Sequence, residues 1–129
     1  MEMKKLSANS QTSVSILPVF DLKLGAKIIG KNEETAKKMI KALVQVLPKD
    51  LEKIEAAYAE RNFAKLQDLV HYTKGGASYC GTPRLKFFAS KLHELLATNN
   101  EEAIQQAYEE FCFEIRAVIN TYNKEIESV

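Results

Sequence analysis

The chain has 129 residues, room for one domain and not for two full hydrophobic cores. Hydrophobic residues make up 46% and charged residues 27%, the composition of a globular chain rather than a disordered one. Eighteen Lys and Arg stand against 17 Asp and Glu, and a net charge of +1 argues against a protein whose main work is gripping nucleic-acid phosphates. No run of 18 apolar residues predicts a membrane span, and residues 1–15 lack the apolar stretch of a signal peptide. Cys80 and Cys112 are too few for a disulfide scaffold and too far apart for a metal knuckle. Reduced thiols and a cytoplasmic location are the expectation.

Residues 1–15, with the polar stretch LSANSQTSVS at 6–15, read as a flexible leader or linker, and residues 16–129 as the folded domain. Asp21 to Ile29 is a short helix with Leu24, Ile28 and Ile29 on one side, either core or an apolar docking surface, and Gly30 stops it. Asn32 can cap the next helix, with Glu33 and Glu34 at its positive end and Ala36, Ile40, Leu43 and Leu47 in helical step. Pro48 is expected to break or kink it, with Leu51, Ile54 and Tyr58 continuing the pattern in a further helix. Phe63 to Cys80 carries one stripe through Leu66, Val70, Thr73 and Ala77, ended by Gly81. Thr82 can cap the following helix, and Pro83 suits its first position. That helix presents Leu85, Phe88, Leu92 and Leu95. The last begins after Asn100 and presents Ile104, Tyr108, Phe111, Ile115, Val118 and Tyr122. No period-two alternation is sustained, so the fold is all-α: an antiparallel four-helix bundle with a short additional N-terminal helix. The stripes can all be consumed inside one bundle, so a monomer is expected.

One strip is not explained by packing. At about 100° per residue, His71 lies about 130° from the centre of its helix's apolar stripe and should face water. Gln67, Lys74, Gly75 and Ser78 fall on the same flank, gathering an imidazole, an amine and a bare backbone position. Gly75 and Gly76 stand inside a continuous helical pattern, where each costs about 1 kcal/mol relative to Ala. Close approach of another body to the backbone at Gly75 would offset that cost, whereas Gly76 points nearer the bundle. A lone surface histidine, a lone lysine or an early helix end would each be unremarkable; the three together on one face are not.

His71-Tyr-Thr-Lys74-Gly75, with Gly81 ten positions after the histidine, resembles the signature of histidine-containing phosphotransfer domains, the helical intermediates of two-component phosphorelays. The likeness runs from about residue 20 to 125, through LPKDLEKIEAAYAERNFAKLQDLVHYTKGG and CGTPRLKFFASKLHEL. The CGTPRLK turn is most like the C-terminal phosphotransfer domains of hybrid sensor histidine kinases. The chain departs from the pattern at Val70, Thr73 and Gly76, none of which removes a reacting group. The resemblance implies a phosphorelay intermediate in which His71 accepts a phosphoryl group from a receiver aspartate and passes it to another receiver. Lys74 would stabilise phosphoryl charge, and Gln67, Gly75 and Ser78 would meet the partner. The implied partners are response-regulator receiver domains, which would carry the Mg²⁺; no metal or cofactor is assigned to this chain. An alternative is a receiver-binding scaffold without transfer activity. Autonomous ATP-dependent kinase activity is not expected, since no glycine-rich nucleotide loop is present.

His93 reads as a boundary residue bonded within the bundle rather than a second acceptor, and Cys80 and Cys112 as small core side chains.

Overall fold

The computed structural model describes residues 17–127, and every regular element among them is helical. The leader read at 1–15 lies outside the described residues. Helix α1 spans Leu22–Ile29, begun by the Asp21 carboxylate accepting the Leu24 N–H at 2.9 Å and ended by Gly30 in the left-handed region. Helix α2 spans Glu33–Ala59. Asn32 caps it, its side-chain oxygen accepting from the Thr35 N–H at 2.9 Å, with Glu33 and Glu34 in the first turn.

The break expected at Pro48 does not occur: the proline sits inside a continuous 27-residue helix. The ring removes one backbone bond, but Leu47 and Ile54, fully buried on either side, anchor both halves to the same core.

Helix α3 spans Phe63–Tyr79, capped by Asn62 through the Lys65 N–H, and runs unbroken through Gly75 and Gly76. Arg61 takes a left-handed conformation in the preceding turn, where its guanidinium donates to the Tyr58 carbonyl at 2.8 Å. Helix α4 spans Pro83–Leu95, with Pro83 in its first turn. Thr82 stands at the cap position but does not cap. Its hydroxyl turns back and donates to the Ala77 carbonyl at 3.1 Å, satisfying a buried orphan group at the end of α3 instead. Helix α5 spans Glu101–Tyr122, capped by Asn100 through the Ala103 N–H, and passes into a π-helical turn at Asn123–Glu127.

Helices α2, α3, α4 and α5 pack each against the next, and α5 closes back on α2. With short connections this gives the antiparallel four-helix bundle. Ile40, Leu66, Leu92, Ile104, Phe111 and Ile115 lie at its centre with essentially no exposure. Burying each such side chain contributes about 1.5–3 kcal/mol.

Helix α1 lies against α2 and touches α3. What fixes it there is the α3–α4 turn. The Asp21 N–H donates to the Gly81 carbonyl at 2.8 Å, and a Cβ at Gly81 would lie 2.5 Å from the Asp21 carbonyl oxygen. Gly81 also has a φ of 69°, so a glycine is required twice over. On the far side of α4, Arg84 reaches the buried Glu114 of α5, Nη2 to Oε2 at 2.7 Å.

Candidate functional site

Helix α3 buries Leu66, Val70, Thr73 and Ala77 and turns His71 outward, where the ring is exposed. At 100° per residue Gln67, His71, Lys74, Gly75 and Ser78 share a sector about 100° wide. Gly75 is exposed like His71, whereas Gln67, Lys74 and Ser78 are half-buried. The Ser78 hydroxyl donates to the Lys74 carbonyl at 2.8 Å, so its proton is engaged within the helix and its oxygen remains as an acceptor.

The two glycines differ as their angles on the helix require. A Cβ at Gly75 would meet nothing within 4 Å, so the backbone one turn after His71 is open. A Cβ at Gly76 would lie 3.3 Å from Leu43 Cδ1, which places Gly76 against α2.

A second imidazole stands at the site. His93 of α4 is half-buried, and its ring centroid lies 5.5 Å from that of His71, the planes tilted by 42°. From sequence His93 reads as a boundary residue of the bundle; the structure sets it beside His71. A signal was available. Thr82 marks the α3–α4 turn, and His71 and His93 each stand eleven residues from it. Two antiparallel helices rising about 1.5 Å per residue bring such positions to the same height.

Apolar surface borders the strip on both sides. A cleft of about 410 Å³ lies between α1, α3 and α4, and Leu24, Ile28, Ser78, Lys86 and Phe87 line it. Leu24 is 37% exposed, Ile28 44% and Phe87 40%. The core face of α1 is instead Gly25 and Ala26, small enough to seat the helix closely, so Leu24 and Ile28 are not ordinary core. A second groove of about 590 Å³ lies between α2 and α3, bordered by Val46, Asp50, His71, Gly75 and Tyr79.

Charge is distributed unevenly along the chain. Residues 17–91 hold 14 Lys and Arg against 8 Asp and Glu, whereas residues 92–127 hold 2 against 8. The near-zero net charge therefore hides an excess of positive charge over residues 17–91, the stretch of chain that carries His71.

The cysteines are placed for packing. Burial pushes both thiols up, Cys112 to about 11 even though the Tyr108 hydrogen bond and Arg116 pull the other way. Neither is a thiolate nucleophile near neutral pH. Among the described residues no group of three or more His, Cys, Asp or Glu is placed to hold a metal ion, and no helix is long and apolar enough to cross a membrane.

The family model for the Hpt domain matches residues 38–125, which include α3, α4 and the whole His71 strip. No curated protein and no solved structure matches the chain.

Proposed function

The chain belongs to the Hpt-domain family, whose members carry out histidine phosphotransfer in two-component phosphorelays with response-regulator receivers, and on that premise we propose that it is a relay intermediate with His71 as its acceptor. In this reading His71 takes a phosphoryl group from one receiver aspartate and delivers it to another. The observation that carries it is the pairing of an exposed imidazole with an open backbone at Gly75, in the stretch of chain where positive charge exceeds negative.

The chemistry follows from the groups. A neutral imidazole keeps a lone pair on one ring nitrogen and can act as a nucleophile through it. Attack through Nε2 forms an N–P bond as the P–O bond to the aspartate breaks and the carboxylate leaves with the electron pair. The proton on Nδ1 can pass to water, since the ring is exposed. Lys74, one turn on, supplies positive charge to the phosphoryl oxygens. Positioning dominates phosphoryl transfer, and the clear backbone at Gly75 lets a receiver loop bring its aspartate in line. Gln67 and the Ser78 oxygen stand at the rim of the contact. Leu24, Ile28 and Phe87 provide the apolar surface on which a receiver can seat itself. The Mg²⁺ of the reaction is assigned to the receiver.

The relay is tested by loading the chain from one phosphorylated receiver, repurifying it, and mixing it with a second, unphosphorylated receiver. Acid-labile, alkali-stable phosphate on the chain that then moves to the second receiver is the expected result. A chain that binds receivers tightly but never acquires phosphate would instead be a scaffold.

A further inference from the structure

The His71–His93 pair joins α3 to α4 by two side chains that ligate borderline transition metals through the same atoms that serve as nucleophiles. In a neutral imidazole one ring nitrogen is an acceptor, and either tautomer can present it. With Zn–N bonds of about 2.0–2.1 Å and tetrahedral angles, two ligating imidazoles carry their centroids about 5.2 Å apart. A square-planar or octahedral pair at 90° would bring them to about 4.5 Å. The observed 5.5 Å lies next to the tetrahedral figure.

We propose that His71 and His93 together form a two-imidazole site for a divalent cation of the zinc class, and that occupancy of this site masks the His71 lone pair. The juxtaposition of two histidines from different helices, with ring centroids 5.5 Å apart, is what carries it. Among the described residues no third His, Cys, Asp or Glu completes the group, so water fills the remaining positions and the site is open and exchangeable. Lys74, three residues after His71, opposes the cation. Coordination uses the lone pair of each neutral ring and releases metal-bound water, with no change of oxidation state. A ring so engaged cannot attack phosphorus until the metal leaves. The binding step itself stands on the two rings and does not depend on phosphotransfer.

The test is calorimetric titration of zinc chloride into the full chain and into the His71→Gln, His93→Gln and Lys74→Ala variants, together with imidazole ¹⁵N spectra of the unaltered chain. The expected result is one zinc per chain, affinity at least about tenfold weaker in each histidine variant, and tighter binding in Lys74→Ala. The nitrogen signals of both histidines should move together with zinc. An affinity in His93→Gln within twofold of the unaltered chain would overturn the proposal. So would movement of one histidine's signals alone, or a zinc-bridged dimer holding one histidine from each copy. Should His93→Gln lose its helical circular dichroism, the spectra of the unaltered chain decide by the same criterion.

Discussion

A Cβ built at Gly76 would lie 3.3 Å from Leu43 Cδ1, whereas one built at Gly75 would meet nothing within 4 Å. Adjacent glycines in one helix therefore meet different surroundings. Leu43 is at the groove margin, 8% exposed, and its terminal methyl can give way by a few tenths of an ångström. Gly76→Ala should consequently fall within about 0.5 kcal/mol of neutral, the gain in helix propensity offsetting the crowding, whereas Gly76→Leu should destabilise by about 1–3 kcal/mol. Gly75→Ala should stabilise by up to about 1 kcal/mol. Leu or Gln at position 75 should leave melting intact and slow phosphotransfer. Melting curves and single-turnover transfer on the same variants check both, and unimpaired transfer with Leu at 75 would remove the role of this glycine in partner approach.

Lys74→Ala should lower the transfer rate by about 10- to 100-fold, or about 1–3 kcal/mol of transition-state stabilisation, with the melting temperature nearly unchanged. The Ser78 hydroxyl bonds to the backbone carbonyl of Lys74, which Ala retains. A lowered melting temperature with an unchanged rate would make the amine structural.

Arg84 and Glu114 form an ion pair in which the carboxylate is 3% exposed and the arginine 25%, and Glu114 Oε1 and Arg84 Nε find no partner among the described residues. Removing the cation strands the carboxylate, so Arg84→Met should destabilise by about 3 kcal/mol. Adding Glu114→Leu to that variant should recover most of the loss, because an apolar pair dispenses with both desolvation terms. Urea denaturation of the three chains checks it, and a double variant no more stable than the single one would contradict it.

Cys112 is held protonated to about pH 11 by burial, and Cys80 is shifted the same way. The unfolded chain loses these protons near 9.0. Between pH 9 and 11 the unfolded state therefore binds fewer protons than the folded one, and stability falls as pH rises. Below pH 9 the thiols contribute no dependence. Denaturation midpoints should decline less steeply across this window in Cys112→Ala, and iodoacetamide at pH 8 should label the native chain far more slowly than the urea-unfolded one.

The bundle was legible because its core positions recur at three and four residues: Leu66, Val70, Thr73 and Ala77 were assigned to the interior of α3 from spacing and are buried. His71 was assigned to water by the same angles, and it is exposed. Pro48 misled because local propensity penalises a mid-helix proline, whereas the burial of Leu47 and Ile54 acts through contacts that no window on one helix reveals. Thr82 misled because its residue type suits a helix cap, whereas its hydroxyl bonds back to the buried Ala77 carbonyl. Leu24 and Ile28 were ambiguous because an apolar stripe looks the same whether it faces a core or a partner. His93 escaped because a contact between helices depends on register across a turn, which only counting outward from Thr82 exposes.

The assignment of His71 as acceptor is tested most directly by phosphopeptide mapping of the unaltered chain and His71→Gln after incubation with a phosphorylated receiver, with circular dichroism on both. The account expects acid-labile phosphate on His71 alone, none on the variant, and melting temperatures that differ by little, because the exposed ring supports no core contact. Phosphate on His93, or a His71→Gln chain that still accepts it at a comparable rate, would contradict the account.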